Sequence, residues 1–591
     1  QNFFDGVFTA TLANVVKGLQ LRAVAGTQYR LGDRAIFNRT VPLWGKSRVL
    51  SYHNQVNSYQ VNDELTKNLN LQFLANYDFK LGTNHNFGLF AGYQWEDFRY
   101  GITVSRAQNL ASNDLPSLTL GDDRTKSTTD TVRTTAFQSG FGRFNYNFGD
   151  KYLFEATLRV DESSKLAPGR RVKVFPAASV GWNIHRESWF SDNIGFISEL
   201  KLRGSWGRLG GALASAETLG NYDYLTLLNR GNNLVLGDAR ASFIYQSQLP
   251  SSFISWETVE TTNGGIDLGF FQNRLQFSGD YYVKFNRGMI TRLQLPAVVG
   301  LQPGRQNVGE LKSWGWETEL RFRDEIGSSF KYSLAVNLSD NNNEILSFAN
   351  RRVINGGTNK SVEGYPVNSI WGYETAGYFS SADEVKEAPF QDNRTGAGDV
   401  RYIDQDGDGR ITVGQGTVEN HGDLVLLGTT NPRYLFGVTL NAEWKGIDFT
   451  AFFQGVGQRY YRPHIESIAP LLVTWKQALG IHRDYWTPEN PDALYPRPFV
   501  GATHNYQSSD KWVLNARYVR LKNIQVGYTL PATLTQKVRI SRARVFFSGQ
   551  DLFTLSGLGD FQGYYDPENR DGVENDYPFF ATAAVGLNLS F

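Results

Sequence analysis

Hydrophobic and polar side chains alternate along most of this chain. In its final stretch, Phe579–Phe591 (FFATAAVGLNLSF), Ala583, Val585, Leu587, Leu589 and Phe591 share one face of an extended strand. Ala584, Gly586, Asn588 and Ser590 share the other. The same period of two recurs upstream. Tyr152, Phe154, Ala156, Leu158 and Val160 oppose Leu153, Glu155, Thr157 and Arg159. Tyr434, Phe436, Val438, Leu440, Ala442 and Trp444 oppose Gly437, Thr439, Asn441 and Glu443. Trp314, Trp316, Leu320 and Phe322 likewise oppose Glu317, Glu319, Arg321 and Arg323. One face therefore meets an apolar medium. The other carries more charge than a packed sandwich core could hold without pairing each group, and suits a water-filled lumen. The pattern predicts an all-β fold, an antiparallel transmembrane barrel of which roughly 16–18 strands are present. Because the chain ends on Phe591, the last strand is expected to seam the wall.

Turn chemistry supports this reading. Tight turns fall at Val16-Lys17-Gly18, Phe148-Gly149-Asp150, Gln272-Asn273-Arg274 and Lys445-Gly446. Between them come long excursions near 98–131, 210–256, 286–311, 345–431 and 455–515, the last two expected as long extracellular loops. Short turns at one rim and long loops at the other mark the two faces of an outer-membrane barrel. The alternation fails in YVRLKNIQVGYTLP. Val519 and Leu521 share a face, whereas Ile524, Val526, Tyr528 and Leu530 take the opposite parity, which predicts a bulge near Asn523.

Composition adjusts the picture at a few points. No run of eighteen apolar residues exists, so no transmembrane helix is expected. The mean hydropathy of −0.38 does not count against a membrane, because a barrel conceals its lipid face by alternation. A net charge of +1, from 59 basic and 58 acidic residues, offers no footprint for nucleic acid. The absence of cysteine removes disulfides, thiolate metal sites and cysteine nucleophiles from consideration.

A dozen phrases, in order, carry a family resemblance: FGRFNYNFGD (141–150), FPAASVGW (175–182), LRGSWG (202–207), GIDLGFFQNRL (265–275), NVGELKSWGW (307–316) and GDVRYIDQDGDGRI (398–411) among them. NPRY (431–434), WTPENP (486–491), YVRLKNIQVGYTL (518–530) and VFFSGQDLF (545–553) continue the series. In these the chain resembles the C-terminal two-thirds of SusC/RagA-type TonB-dependent outer-membrane transporters. The resemblance implies a barrel of about 22 strands filled by an N-terminal plug. Neither plug, TonB box nor first strands stand before Gln1, so the sequence is expected to be part of a longer protein.

The resemblance further implies active import of an oligosaccharide or oligopeptide into a Gram-negative cell. Energy would come from the TonB–ExbB–ExbD complex, with a SusD-like surface lipoprotein as lid and a dimer of such pairs as the assembly. Two other readings stay open: a passive porin or surface receptor barrel, and a soluble β-rich glycan-binding protein. Apolar and aromatic residues in the two longest excursions (Ile370, Trp371, Tyr373, Tyr378, Phe379, Ile465, Ile468, Leu471, Leu472) are expected to be exposed and to form the lid's docking surface.

One local motif has its own chemistry. Asp404-Gln405-Asp406-Gly407-Asp408-Gly409-Arg410-Ile411 follows the first half of an EF-hand calcium loop. Asp404, Asp406 and Asp408 fall at ligand positions one, three and five, and the Arg410 carbonyl at seven. Position twelve is Gln415 rather than an acid, leaving the bidentate ligand to come from elsewhere, with Glu419 as a candidate. The alternative is a solvated Asp/Gly turn. Strand tryptophans (Trp182, Trp206, Trp314, Trp316, Trp444) read as interface anchors, and the loop aromatics Tyr460, Tyr461, Trp475, Tyr485 and Trp486 as loop packing or ligand stacking. No catalytic set emerges: the seven histidines are scattered, and neither HExxH, GxSxG nor a GKS/T phosphate loop occurs.

Overall fold

A computed structural model describes residues 2–13, 16–211, 219–237, 239–292, 297–327, 329–349, 354–472, 478–568 and 580–591. Trp475 and Phe579 lie outside them. Among the described residues no helix is long and apolar enough to cross a membrane. Seventeen strands make up the main sheet, within the range implied by the alternation.

Six of them pair in chain order as antiparallel neighbours: β1 (Asn2–Ala13), β2 (Leu19–Asn38), β3 (Ser58–Leu81), β4 (His85–Gln108), β5 (Ser127–Phe148) and β6 (Tyr152–Ser163). Then come β7 (Val172–Asn183), β8 (Ile197–Gly211), β9 (Glu257–Phe270) and β10 (Leu275–Arg292). The remaining seven again pair in sequence: β11 (Arg305–Ile326), β12 (Phe330–Phe348), β13 (Arg433–Trp444), β14 (Ile447–Gln458), β15 (Tyr518–Thr529), β16 (Arg542–Ser556) and β17 (Thr582–Ser590). The chain forms two compact units. One is Gln1–Val180, Trp206–Glu260 and Gly288–Asn307; the other is Gly181–Ser205, Thr261–Arg287 and Val308–Phe591.

Alternation sorts side chains as the sequence implies. Val526, Tyr528, Val545, Phe547, Val585 and Leu587 point to one side and are exposed there. The opposite face carries ion pairs between neighbouring strands. Arg203 grips Asp267 with Nε at 2.7 Å and Nη2 at 2.9 Å, and reaches Asp280 with Nη1 at 2.9 Å. Arg544 holds Asp448, and Arg433 holds Asp340. Pairing lowers the cost of crowding this many charges onto one face.

The turns carry the backbone that tight hairpins require. Gly18, Gly149, Asp150, Gln272, Asn273, Lys445 and Gly446 all have positive φ. The bulge is present. Phe452 pairs with Asn523 and Phe453 with Leu521, so Lys522 is the extra residue that reverses the parity of β15.

Strands run further into the excursions than the pattern implied. With β4 reaching Gln108 and β5 starting at Ser127, the first excursion shrinks from 98–131 to 109–126. In β4 the added segment carries its apolar row, Phe98, Tyr100, Ile102 and Val104, on the face opposite that of Tyr93 and Trp95, and in β5 the added Ser127–Thr131 is polar throughout, so backbone pairing continues where the first apolar stripe has ended. Two further excursions, 39–57 and 557–581, lacked any sequence signal of their length.

Candidate functional site

The two longest excursions, 349–432 and 459–517, are not loose loops. The second buries Tyr461, Ile468, Tyr495, Tyr506, Trp512 and Leu514 in a core that also takes Leu558 and Phe561 from the excursion after β16. The first has its own smaller core of Ile354, Val362, Trp371 and Leu424. Ile370, Trp371, Phe379 and Ile468 are therefore at most 2% exposed, which overturns the expectation that they offer an apolar docking surface. Hydrophobic content does not distinguish a residue awaiting a partner from one that has found its core within the chain.

A buried carboxylate ties the two excursions together. Asp399, fully buried, accepts from Arg497 Nε and Nη2 at 2.9 Å each, from Asn505 Nδ2 at 2.9 Å and from the Gly396 amide at 2.8 Å. His504 Nε2 lies 3.2 Å away. Burial opposes the charge, but these hydrogen bonds outweigh it and hold the carboxyl down at about 2. Around this hub, Tyr402 donates to the His504 carbonyl at 2.7 Å and Val400 N donates to Asn505 Oδ1 at 2.9 Å. The Lys511 ammonium sits 4.6 Å from the Tyr378 ring centroid and 5.5 Å from that of Trp512, and burial draws its pKa down to about 8. Gly398 (φ +84°) lies under Trp486, where a Cβ would come within 2.3 Å of the ring. Trp486 and Tyr461 are thus packing residues, while Tyr485 stays exposed.

The acidic turn lies in the first excursion. Asp404 accepts from the Gly407 amide at 2.7 Å and the Gly409 amide at 2.9 Å; Asp408 accepts from the Arg410 amide at 2.8 Å. The acids whose oxygens converge within 4.8 Å are Asp404, Asp406 and Asp423. Asp408 is not in that group, and the Arg410 guanidinium lies 5.1 Å from the Phe390 ring centroid. The Gln415 amide donates to Asn420 Oδ1 at 3.1 Å. The third acid is thus Asp423, fully buried, with its oxygens on the Gln405 and Thr412 amides at 2.6 and 2.7 Å. Desolvation and the carboxylates of Asp408, Asp423 and Asp404 push Asp406 upward. Asp404 moves down, since the Gly409 and Gly407 amides outweigh its desolvation. Asp404, Asp406 and Asp423 thus bring hard oxygen donors and crowded negative charge together, the donor chemistry that a hard cation requires.

Other apolar groups do stay exposed at excursion tips. They lie on the hairpin of Val41–Trp44 with Val49–His53 (Leu43, Trp44, Leu50, Tyr52) and on that of Leu228–Leu236 with Ala239–Gln246 (Ile244, Tyr245).

Comparison with known proteins agrees with this architecture. Residues 5–552 match the family model described as TonB dependent receptor-like, beta-barrel. The chain is 26% identical over 532 residues to TonB-dependent receptor P3 of Formosa agariphila, covering 86% of this chain and 51% of that protein. It is 25% identical over 595 residues to TonB-dependent receptor SusC of Bacteroides thetaiotaomicron, covering 97% and 54% respectively. The chain spans about half the length of the curated relatives it matches. Among solved structures it is similar to the RagAB peptide transporter, with a TM-score of 0.79 at 22% identity over 100% of this chain and 62% of that one.

Proposed function

Because the chain belongs to the TonB dependent receptor-like β-barrel family, we propose that it forms most of the barrel of an energised outer-membrane importer. The observation that carries this reading is the two-faced wall, apolar outside and lined by paired charges such as Arg203–Asp267–Asp280 within. A wall of this kind, closed as a barrel, would enclose a hydrophilic path, and the pre-folded excursions of Asp399 and Arg497 would offer a surface to the cargo. The cargo is an oligosaccharide or oligopeptide, drawn in when the TonB–ExbB–ExbD complex pulls an N-terminal plug. A SusD-like surface lipoprotein caps the mouth, and two such pairs associate as a dimer. The exposed hairpins of Trp44 and Ile244 offer that lipoprotein the apolar contact that the two long excursions keep for themselves. Calcium bound by Asp404, Asp406 and Asp423 would brace the first excursion. The role is transport rather than catalysis.

The test is uptake of labelled oligosaccharide and oligopeptide mixtures by cells with and without the gene. Import that requires the gene, TonB and a proton gradient supports the proposal. Gene-dependent uptake that persists under a protonophore favours the passive barrel, and recovery of the protein in the aqueous phase without detergent would favour the soluble reading.

A further inference from the structure

At the excursion end of β15 a cationic pair on the polar face of the wall is occupied by the chain itself. Tyr518 and Arg520 share that face, opposite Val519 and Leu521, and Lys522 follows at the bulge. The Arg520 guanidinium, almost fully buried, takes Asp566 on Nη2 and Glu568 on Nη1, each at 2.6 Å, and Thr554 Oγ1 on Nε at 2.9 Å. Lys522 Nζ reaches Glu568 at 2.9 Å and Asp551 at 3.4 Å. The Tyr518 hydroxyl donates to Glu568 at 2.5 Å, and Arg459 donates to the Pro567 carbonyl.

Asp566-Pro567-Glu568 is held as a peptide ligand would be, by side chains and not by sheet pairing. Its excursion is anchored elsewhere: Leu558 and Phe561 lie in the hydrophobic core shared with 459–517, and Tyr565 packs against it. The acidic end and the apolar end are thus fixed by different forces. Burial works against the Glu568 charge, but the Tyr518 and Lys522 hydrogen bonds and the Arg520 charge keep its carboxyl below the usual glutamate value.

A guanidinium fork beside an ammonium and a phenol is a donor set for carboxylates. If the acidic end withdrew, Arg520 and Lys522 would lose two carboxylates at a sheltered site, which is costly. A carboxylate from another chain would restore the balance. We propose that Arg520, Lys522 and Tyr518 form a carboxylate-binding station on the transport path, held in cis by Asp566 and Glu568 until an acidic peptide displaces them. This rests on the import reading and narrows its cargo to peptides bearing closely spaced carboxylates.

The experiment uses the full-length protein purified in detergent and fluorescein-labelled hexaglutamate, with labelled hexaglutamine as control. Asp566→Asn with Glu568→Gln empties the station, and hexaglutamate is expected to bind this variant at least tenfold more tightly than the native protein. Adding Arg520→Gln and Lys522→Gln should abolish the gain, and hexaglutamine should not respond to any of the changes. Binding no tighter than native, or equal for both probes, would overturn the proposal and leave the contact as a structural clasp. Should the double variant give no heat-modifiable folded band, Glu568→Gln alone serves with the same two readings. Since binding is read without energy coupling, its failure leaves the import reading standing. Loss of the TonB requirement in cells would remove the import reading without touching the binding result.

Discussion

Arg497 closes both Nε and Nη2 on the carboxylate of Asp399, each at 2.9 Å, across 98 residues of chain. It is the charged centre of the seam between the two longest excursions, beside the hydrogen bonds of Asn505, Tyr402 and Val400, so its loss should loosen both while leaving the wall intact. Asp399→Asn takes the counter-ion from Arg497, whose side chain is 37% exposed, and disrupts the hydrogen bonding of a fully buried group, a change expected to cost about 1–3 kcal/mol. Limited proteolysis should then cut within 388–400 and 489–503, with the heat-modifiable migration of the barrel unchanged.

The same carboxylate sets a pH dependence. Its pKa falls from an ordinary 3.8 to about 2 in the hub. A depressed acid contributes stability above its unfolded value and loses it as pH falls through the folded one. The contribution, about 2 kcal/mol, should be complete above about pH 4 and vanish towards pH 2. Amide exchange at residues 396–402, compared in native protein and Asp399→Asn, should differ at pH 5 and converge near pH 2.

The wall's facing is testable within one strand. Val585 is exposed on the apolar side, opposite Phe547, while Ala584 stands opposite Ser548 on the polar side. Val585→Arg should block assembly, since a charge at mid-membrane costs about 2–4 kcal/mol, and Ala584→Arg should be tolerated. The folded band on unheated gels reports both.

Trp512 anchors the excursion core, 1% exposed with its indole nitrogen donating to the Asn505 carbonyl at 2.8 Å. Trp512→Ala should destabilise that core by about 3–5 kcal/mol. Its thermal transition should fall well below that of the barrel, separating two transitions in a calorimetric scan.

Asp406 is the convergent acid least committed to the backbone, accepting the Asp408 amide at 3.2 Å. Asp406→Asn should therefore lower calcium content, read by elemental analysis after dialysis against excess calcium, without unfolding the turn. Equal calcium in both proteins, or none in either, would return these carboxylates to capping backbone amides.

The wall was legible in the sequence because lipid on one side and water on the other impose a period of two. Even the bulge at Lys522 showed itself as a parity error between Leu521 and Ile524. The excursions were not legible, since their order comes from contacts between residues far apart in the chain. Asp423 completes the acidic turn from nineteen positions beyond Asp404, where the EF-hand template looks for a ligand at the twelfth. Asp399, within GDVRYID, gave no sign that Arg497, His504 and Asn505 would converge on it. Trp371 and Ile468 showed their hydrophobicity but not where they would bury it.

The extra residue of β15 also governs how this strand can change length. A lost residue normally inverts the facing of everything beyond it, turning lipid-side groups inward. At Lys522 the phase error is already present, so removing that residue would restore plain alternation: Leu521 would stay outward and Asn523 inward, with both flanks unchanged. A deletion at Val526 would instead swing Arg520 towards lipid. Position 522 is therefore where this strand can lose a residue with every remaining side chain kept on its own face, while the mismatch passes to β16, whose Asp551 and Leu552 already stand opposite Lys522.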